Sequence, residues 1–290
     1  QLYANGQKYG EYVVLSEENA WTYTFENLYV YENKAEGKQV YDEGVAFIPK
    51  HAFRYVTALE EVILPESLTS IYVYAFDGCT GLATIELNAG LDTVGSYAFQ
   101  GCTGLKTVTT PESLTKINSY AYSGCSGLNS ITLNEGLTSI GSYAFQNCTS
   151  LVSIDIPDSV TAISSRAFYK CTKLEEVGYP AGWATVTDYW NNSSTEWSDG
   201  HSYYTSPFEG CTALTKIEIP DGVTTIPKHA FRYVTALEEV VLPESLTSIS
   251  VYAFDGCTGL KTIELNFGLT KINGYAFQGC TALTSVVMPE

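Results

Sequence analysis

A pattern of apolar residues returns along this chain about every 23 residues. Its clearest copy begins at Leu59 and has the form Leu-x-x-Val-x-Leu-Pro-x-x-Leu-x-x-Ile-x-x-x-Ala-Phe-x-x-Cys. A fixed period of this length is typical of a solenoid, whose coils bury their apolar residues against the coils beside them. The phenylalanine position is filled by Phe53, Phe76, Phe99, Tyr122, Phe145, Phe168, Phe208, Phe231, Phe254 and Phe277. The chain is therefore predicted to form one elongated repeat domain.

Each unit is too short for a full amphipathic helix but suits short extended pieces. Val62 and Leu64 alternate with polar or outward positions, which predicts a strand, and Leu68 with Ile71 predicts a second, shorter extended piece. Ala75-Phe76 suits an irregular or helical turn. We therefore predict an α/β repeat solenoid that is rich in β structure, with parallel strands on one face, short turns or 3-10 and helical pieces on the other, and right-handed crossovers.

The repeat is missing at the start of the chain and interrupted once. Residues 1–40 lack it but alternate apolar and polar side chains, which predicts an N-terminal β cap over the first coil of a solenoid spanning 41–290. Phe168 and Phe208 lie 40 residues apart instead of 23, so 17 extra residues fall within 178–206. Insertions in solenoids map to loops on one face, often the binding face.

The interrupted segment is rich in aromatic side chains, which make it the candidate partner-binding site. The candidate residues are Trp183, Tyr189, Trp190, Trp197, Tyr203 and Tyr204. Exposed rings of this kind could fill a pocket on a protein partner or stack on sugar rings. The alternative is that the rings fold back and cover the gap that the insertion opens. The sequence leaves both open.

A tyrosine stands before Ala-Phe in several successive units. This column contains Tyr74, Tyr97, Tyr120 and Tyr143, and it returns later as Tyr252 and Tyr275. Stacked coils would bring these rings together as an aromatic ridge. The ridge is predicted to be either a structural ladder or a contact stripe for a partner.

Eight cysteines occupy one position of the repeat, three residues after the phenylalanine column. Val56 and Val234 fill the same position in two units, so the position requires a small buried apolar group. Free cysteine behaves as such a group. We therefore predict buried thiols rather than disulfides, and no zinc site, because no Cys-x-x-Cys spacing occurs.

Charge and motif content argue against several classes of function. The net charge of −17 disfavours nucleic acid and anionic membrane surfaces as partners. No apolar run approaches the roughly 18 residues of a membrane-spanning helix, so no membrane insertion is expected within this chain. The three histidines are His51, His201 and His229, and the common hydrolase, phosphate-binding and zinc-protease motifs are absent. We predict no enzyme activity, cofactor or metal.

The units resemble the BspA-like class of leucine-rich repeats. Residues 151–171, LVSIDIPDSVTAISSRAFYKC, match that class almost position for position, and the resemblance spans about residues 41–290. It implies a right-handed leucine-rich-repeat superhelix in a secreted or surface-attached bacterial protein, without shared catalytic residues. It also implies adhesion, since relatives bind host matrix proteins such as fibronectin and fibrinogen.

The function expected on this basis is binding or adhesion, outside the cell or at its surface, to a protein partner such as host extracellular matrix. Two alternatives stay open. One is a glycan-binding module that uses Trp183, Trp190 and Trp197, and the other is a passive spacer at the cell surface.

Overall fold

The computed structural model describes residues 45–187 and 205–287, together with five short strands between residues 2 and 41. All regular elements among these residues are strands. They are β1 (Leu2–Ala4), β2 (Gln7–Tyr9), β3 (Tyr23–Phe25), β4 (Leu28–Asn33), β5 (Lys38–Tyr41), β6 (Phe47–Ile48), β7 (Glu61–Ile63), β8 (Ser70–Ile71), β9 (Thr84–Glu86), β10 (Thr93–Val94), β11 (Thr107–Thr109), β12 (Lys116–Ile117), β13 (Ser130–Thr132), β14 (Ser139–Ile140), β15 (Ser153–Asp155), β16 (Ala162–Ser164), β17 (Glu176–Gly178), β18 (Thr185–Thr187), β19 (Lys216–Glu218), β20 (Thr225–Ile226), β21 (Glu239–Val241), β22 (Ser248–Ile249), β23 (Thr262–Glu264), β24 (Lys271–Ile272) and β25 (Ser285–Val287). In the described part of the chain, no helix has the length and apolarity needed to cross a membrane.

Each coil contributes two strands, and most of them pair in parallel with the equivalent strand of a neighbouring coil. In the longer strands Val62 lies beside Ile85, and in the shorter strands Ile71 lies beside Val94. The partners are one repeat apart, so equivalent positions of the repeat, filled by similar apolar residues, stack on each other. The middle residue of most longer strands is buried and its two neighbours point outward, as in β9, β11, β13 and β15. The predicted stacking of parallel strands is therefore confirmed.

The helical part of the prediction is wrong for the described residues. The segment after the second strand, for example Tyr74–Cys79, consists of turns, and the parallel strands lie on two faces of the coil rather than one. Two positions of this segment adopt positive φ in nearly every coil, such as Tyr74 at 60° and Gly78 at 74°. A right-handed helix cannot continue through such residues, which explains why no helix forms.

A single interior runs between the row of longer strands and the row of shorter strands. The rings of the phenylalanine column stack on each other at centroid distances of 5.2–6.1 Å, from Phe53 to Phe277. The leucines of the repeat, such as Leu82 and Leu105, are fully buried beside them. Apolar burial of this kind supplies most of the stabilising free energy of a repeat protein.

The cysteine column confirms the predicted thiols. All eight cysteines are free, seven of them are buried, and Cys280 is half-buried. Each Sγ–H donates to the carbonyl oxygen of the preceding coil's aromatic residue, as in Cys102 to Phe76 at 3.1 Å. Burial raises the pKa of the Cys79 thiol to about 12 and that of Cys280 to about 11. The thiolate form is therefore scarce near neutral pH.

Thiol labelling of the folded protein is expected to be slow at seven cysteines and fastest at Cys280. Alkylation requires the thiolate and access to it, and both are poorest at fully buried positions such as Cys125. Mass spectrometry after timed exposure to iodoacetamide would report the order of labelling. Rapid labelling of Cys102 or Cys125 without unfolding would contradict the buried column, and full labelling in denaturant is the control.

The strands before residue 42 extend the first sheet. β1 pairs antiparallel with β2 and β3, β3 with β4, and β4 with β5, while β5 lies parallel to β7. The sheet thus changes from antiparallel to parallel where the repeats begin. The boundaries 1–40 and 41–290 stay predictions.

The coil register defines where the extra residues enter. β18 pairs in parallel with β16 through Thr187, and Ser165 then hydrogen-bonds to Thr205 at 3.0 Å, where the next coil position would follow. Phe168 stacks on Phe208 at 5.2 Å. The solenoid therefore continues on both sides, and the insertion corresponds to residues 188–204, which lie outside the described residues.

After the insertion, the Ser206 side chain bridges a gap in the ladder of backbone hydrogen bonds. In regular coils the amide of the phenylalanine column donates to a carbonyl of the next coil, as in Phe99 to Ala121 at 2.8 Å. The amide of Phe208 instead donates to Ser206 Oγ at 3.0 Å, and that hydroxyl donates to the Ala230 carbonyl at 2.7 Å. The Ser206 hydroxyl thus relays the missing bond, which satisfies both buried backbone groups.

Candidate functional site

The longer strands present a polar outer face. Its centre is a group of exposed hydroxyl residues, which we call the hydroxyl patch: Thr107, Thr109, Ser130, Thr132 and Ser153. These residues lie opposite one another in register, for example Thr107 beside Ser130 and Thr109 beside Thr132. Exposed carboxylates of Glu86 and Asp155 flank the patch. This face is therefore open to solvent, and its uncharged centre offers hydrogen-bonding groups on parallel strands.

A second surface is formed by the tyrosine column. Tyr74, Tyr97, Tyr120 and Tyr143, which we call the tyrosine ladder, stack nearly parallel at centroid distances of 4.6, 4.6 and 4.8 Å. Neighbouring rings therefore cover each other's faces, while the four side chains remain half-buried rather than enclosed. Ring faces inside the ladder are not open to sugar rings. The ladder can offer ring edges and hydroxyl groups to a partner.

Charged side chains close the tyrosine ladder at both ends. At one end the Arg54 guanidinium lies 5.0 Å from the Tyr74 ring centroid and its Nε donates to Asp77 Oδ2 at 2.7 Å. At the other end Arg166 occupies the tyrosine position itself, donates to the Tyr143 hydroxyl at 2.9 Å and pairs with Glu209 at 2.7 Å. Both arginines are thus neutralised by carboxylates. The two arginines thus hold the ends of the ladder in place. Because their charges are paired, the ladder ends are not positively charged sites for an anion.

A block of early repeats occurs twice in the chain, and the second copy buries the equivalent residues more deeply than the first. Residues 226–286 match residues 48–108 at 49 of 61 positions. His51 is exposed and stacks on Tyr74, whereas its equivalent His229 is 1% exposed and stacks on Tyr252. A further coil precedes the second copy, with Phe208 stacked on Phe231 at 6.1 Å, and covers this side.

Burial changes the protonation of His229. Desolvation, with the nearby charges of Lys228 and Arg232, lowers the pKa of His229 to about 3. The pKa of exposed His51 is also lowered, by partial burial and by Arg54 and Lys50. Both imidazoles are therefore neutral at physiological pH. Since each is stacked on a tyrosine in a different coil, they do not form a shared acid–base site.

Trp183 lies in the core and not on a binding surface. It is 3% exposed, its indole N–H donates to the Thr185 carbonyl at 2.8 Å, and it packs edge-on against Phe208 and Phe231 at 6.2 and 6.0 Å. Its burial argues against contact with a partner and matches the alternative in which a ring folds back. Counting the unit from Leu174 identifies this place, because Trp183 then falls in the column of Leu68.

The remaining predicted site residues, Tyr189, Trp190, Trp197, Tyr203 and Tyr204, lie outside the described residues, and their role stays a prediction. Within 45–187 and 205–287, no three His, Cys, Asp or Glu side chains come together as metal ligands. The hydroxyl patch was not among the predicted binding residues, although the alternation of the strands signalled it. The tyrosine column was predicted as either a structural ladder or a contact stripe, and its stacking confirms that the rings come together.

Comparison with known proteins matches the architecture. A family model described as BspA type Leucine rich repeat region matches in six copies, over residues 46–175 and 202–290. No curated protein matches the chain.

Several solved structures match the chain at low sequence identity and with TM-scores below 0.5. A leucine-rich repeat protein from Bacteroides ovatus is 21% identical, with 91% of this chain and 87% of that chain covered and a TM-score of 0.41. A leucine rich cell surface protein from Faecalibacterium prausnitzii is 22% identical, with 93% and 95% covered and a TM-score of 0.42. The T. pallidum Leucine Rich Repeat protein is 22% identical, with 81% and 88% covered and a TM-score of 0.47.

Proposed function

This chain belongs to the BspA-type leucine-rich-repeat family, and on that premise we propose that it is a non-enzymatic binding protein, secreted or at the cell surface, whose partner is another protein. The observation that supports this most is how the repeated residues are used. Leucine, phenylalanine and cysteine columns are buried in one interior, whereas most outer positions of the longer strands are polar and exposed. The residues that remain available to contact another molecule are therefore mainly those on the outer surface.

Two surfaces are proposed to contact the partner. The first is the hydroxyl patch on the rigid outer sheet, where hydrogen-bonding groups recur at the strand spacing. The second is the insertion, residues 188–204, whose Tyr189, Trp190 and Trp197 are of the types that contribute most to binding energy in protein interfaces. The hydroxyl patch favours a protein partner with an extended polar surface, and the insertion favours one with a pocket that accepts aromatic rings.

A seamless deletion of the insertion is expected to weaken binding while the fold is kept. Joining Thr187 directly to Thr205 restores the 23-residue spacing of Phe168 and Phe208, so the coil can close without a gap. Loss of two or more aromatic anchors is expected to raise Kd about tenfold or more. Binding to immobilised fibronectin and fibrinogen, measured by surface plasmon resonance, provides the readout, with unfolding curves as the control for the fold.

The hydroxyl patch provides the matched comparison. A double variant, Thr109→Lys and Thr132→Lys, changes only exposed positions of adjacent coils. If binding falls for this variant but not for the deletion, the sheet face is the contact surface. If the wild-type chain binds neither matrix protein, nor any protein in a screen of extracellular ligands, the proposal of a protein partner is wrong.

Glycan binding is the alternative that rests on the insertion alone. With Trp183 buried, it depends on Trp190 and Trp197. A glycan array should then give signals that disappear on deletion of 188–204. An array without signal, together with an absence of protein binding, would favour the passive spacer.

A further inference from the structure

Two aromatic stacks run side by side through the same coils, and they differ by a hydroxyl group. The inner stack is phenylalanine except for Tyr122, which is fully buried. The outer stack is the tyrosine ladder, whose rings are half-buried. A phenol differs from a phenyl ring in that it can be oxidised by one electron at moderate potential. The oxidisable rings therefore lie where a solvent-borne oxidant can reach them.

The ladder keeps tyrosine at an unfavourable backbone position. All four residues adopt positive φ, between 57° and 61°. This region disfavours bulky side chains and suits glycine or asparagine better. Such conformations persist where the surrounding structure imposes them, and they point to a use for the side chain. Four phenols are retained in a row here, although smaller residues would fit the backbone more easily.

The geometry brings neighbouring phenols close enough to react with each other. Tyr97 and Tyr120 are 4.6 Å apart between centroids, with planes 10° from parallel, and each has a further tyrosine stacked on its other face. Radical coupling of two phenols is a bimolecular step, and holding the partners in contact makes it effectively unimolecular. An isolated exposed tyrosine instead has to meet another molecule.

We propose that the tyrosine ladder is a site of oxidative modification, in which a haem peroxidase with hydrogen peroxide joins Tyr97 to Tyr120 as a dityrosine. Each phenol loses one electron to the oxidant and one proton to water, which leaves two phenoxyl radicals. A carbon–carbon bond forms between ring carbons ortho to the oxygens, and each of these carbons then transfers its hydrogen, as a proton through water, back to its own phenoxyl oxygen. The two electrons and two protons reduce one peroxide to two waters.

The cross-link would staple two adjacent coils that are 23 residues apart in the chain. Closing a loop of this length lowers the entropy of the unfolded chain, so the stapled solenoid resists unfolding. The modification would thereby stabilise this part of the solenoid against unfolding in an oxidising environment. It is independent of which partner the outer surfaces bind.

The test treats dilute purified protein with a haem peroxidase and hydrogen peroxide. The expected result is a monomer with dityrosine fluorescence, a mass lower by two hydrogen atoms per cross-link, and linked peptides that contain Tyr97 and Tyr120. The midpoint temperature of unfolding of the linked monomer should rise. Stacked Tyr252 and Tyr275, 5.1 Å apart, are the expected source of any residual signal.

Conservative variants keep the test decisive. Tyr97→Phe with Tyr120→Phe leaves the ring stack in place but separates the remaining ladder phenols, so most of the intramolecular product should disappear. Tyr55→Phe is the control, because Tyr55 is 62% exposed but lies under the Arg54 guanidinium. The proposal is overturned if the double variant cross-links as well as the wild type, if no linked peptide of the wild type contains Tyr97 and Tyr120, or if dityrosine forms only between molecules.

Discussion

Replacing Phe99 with alanine is expected to lower the free energy of unfolding by about 3–5 kcal/mol. The ring is fully buried and lies between Phe76 and Tyr122, each 5.3 Å away between centroids. Its loss removes apolar burial and leaves a cavity that the neighbouring coils cannot fill, because the β-ladders hold the coil spacing fixed. Denaturant unfolding followed by circular dichroism would measure the change.

Two further substitutions make this prediction specific to the interior. Phe267 is 77% exposed, so Phe267→Ala should change stability by no more than roughly 0.5 kcal/mol. Tyr122→Phe should raise stability by about 1 kcal/mol, because its hydroxyl is buried without a hydrogen-bond partner among the described residues. Equal losses for Phe99→Ala and Phe267→Ala would show that the phenylalanine column is not the core.

Replacing Arg232 with methionine is expected to cost about 3–5 kcal/mol. The Arg232 guanidinium donates to Asp255 at 2.8 Å, and both side chains are nearly enclosed, at 4% and 8% exposure. Without the arginine, the Asp255 carboxylate stays in the interior with an uncompensated charge. The substitution also removes the cation–π contacts of the guanidinium with the rings of Tyr233 and Tyr252.

The duplicated repeats supply the matched control for this ion pair. Arg54 makes the same bond to Asp77 at 2.7 Å, but its side chain is 38% exposed. Water can reach Asp77 once the arginine is replaced, so Arg54→Met should cost only on the order of 1 kcal/mol. Thermal and denaturant unfolding of the two variants, measured in parallel, tests the difference. Similar costs at the two positions would mean that the second copy is not buried more deeply than the first.

The buried columns could be predicted from the sequence because their spacing is fixed by the coil. A residue that recurs every 23 positions must stack on itself, and leucine or phenylalanine can do so only in the interior. The same reasoning identified the thiols, since valine replaces cysteine at Val56 and Val234. These predictions needed no knowledge of the backbone angles.

The turn after each second strand could not be predicted in the same way. The pattern Ala75-Phe76 suits one helical turn, yet the positive φ of Tyr74 prevents a helix, and apolar periodicity contains no information about the sign of φ. Identical local sequences around Arg54 and Arg232 likewise do not reveal that one is exposed and the other enclosed, because burial depends on whether another coil precedes them. For Trp183 the sequence left exposure and burial both open, and its position in the column of Leu68 corresponds to burial in the core.

The continuity of the interior across the insertion is measured most directly by hydrogen exchange of the backbone amides. The amides of Phe145 and Phe168 donate to Ala167 and Pro207 on either side of the interruption, at 2.7 and 2.8 Å, and the amide of Phe231 continues the pattern at 2.8 Å. One uninterrupted solenoid predicts strong and comparable protection of these amides, without a step at residues 188–204. Rapid exchange of the Phe168 amide, or two blocks of coils that open independently on either side of the insertion, would contradict it.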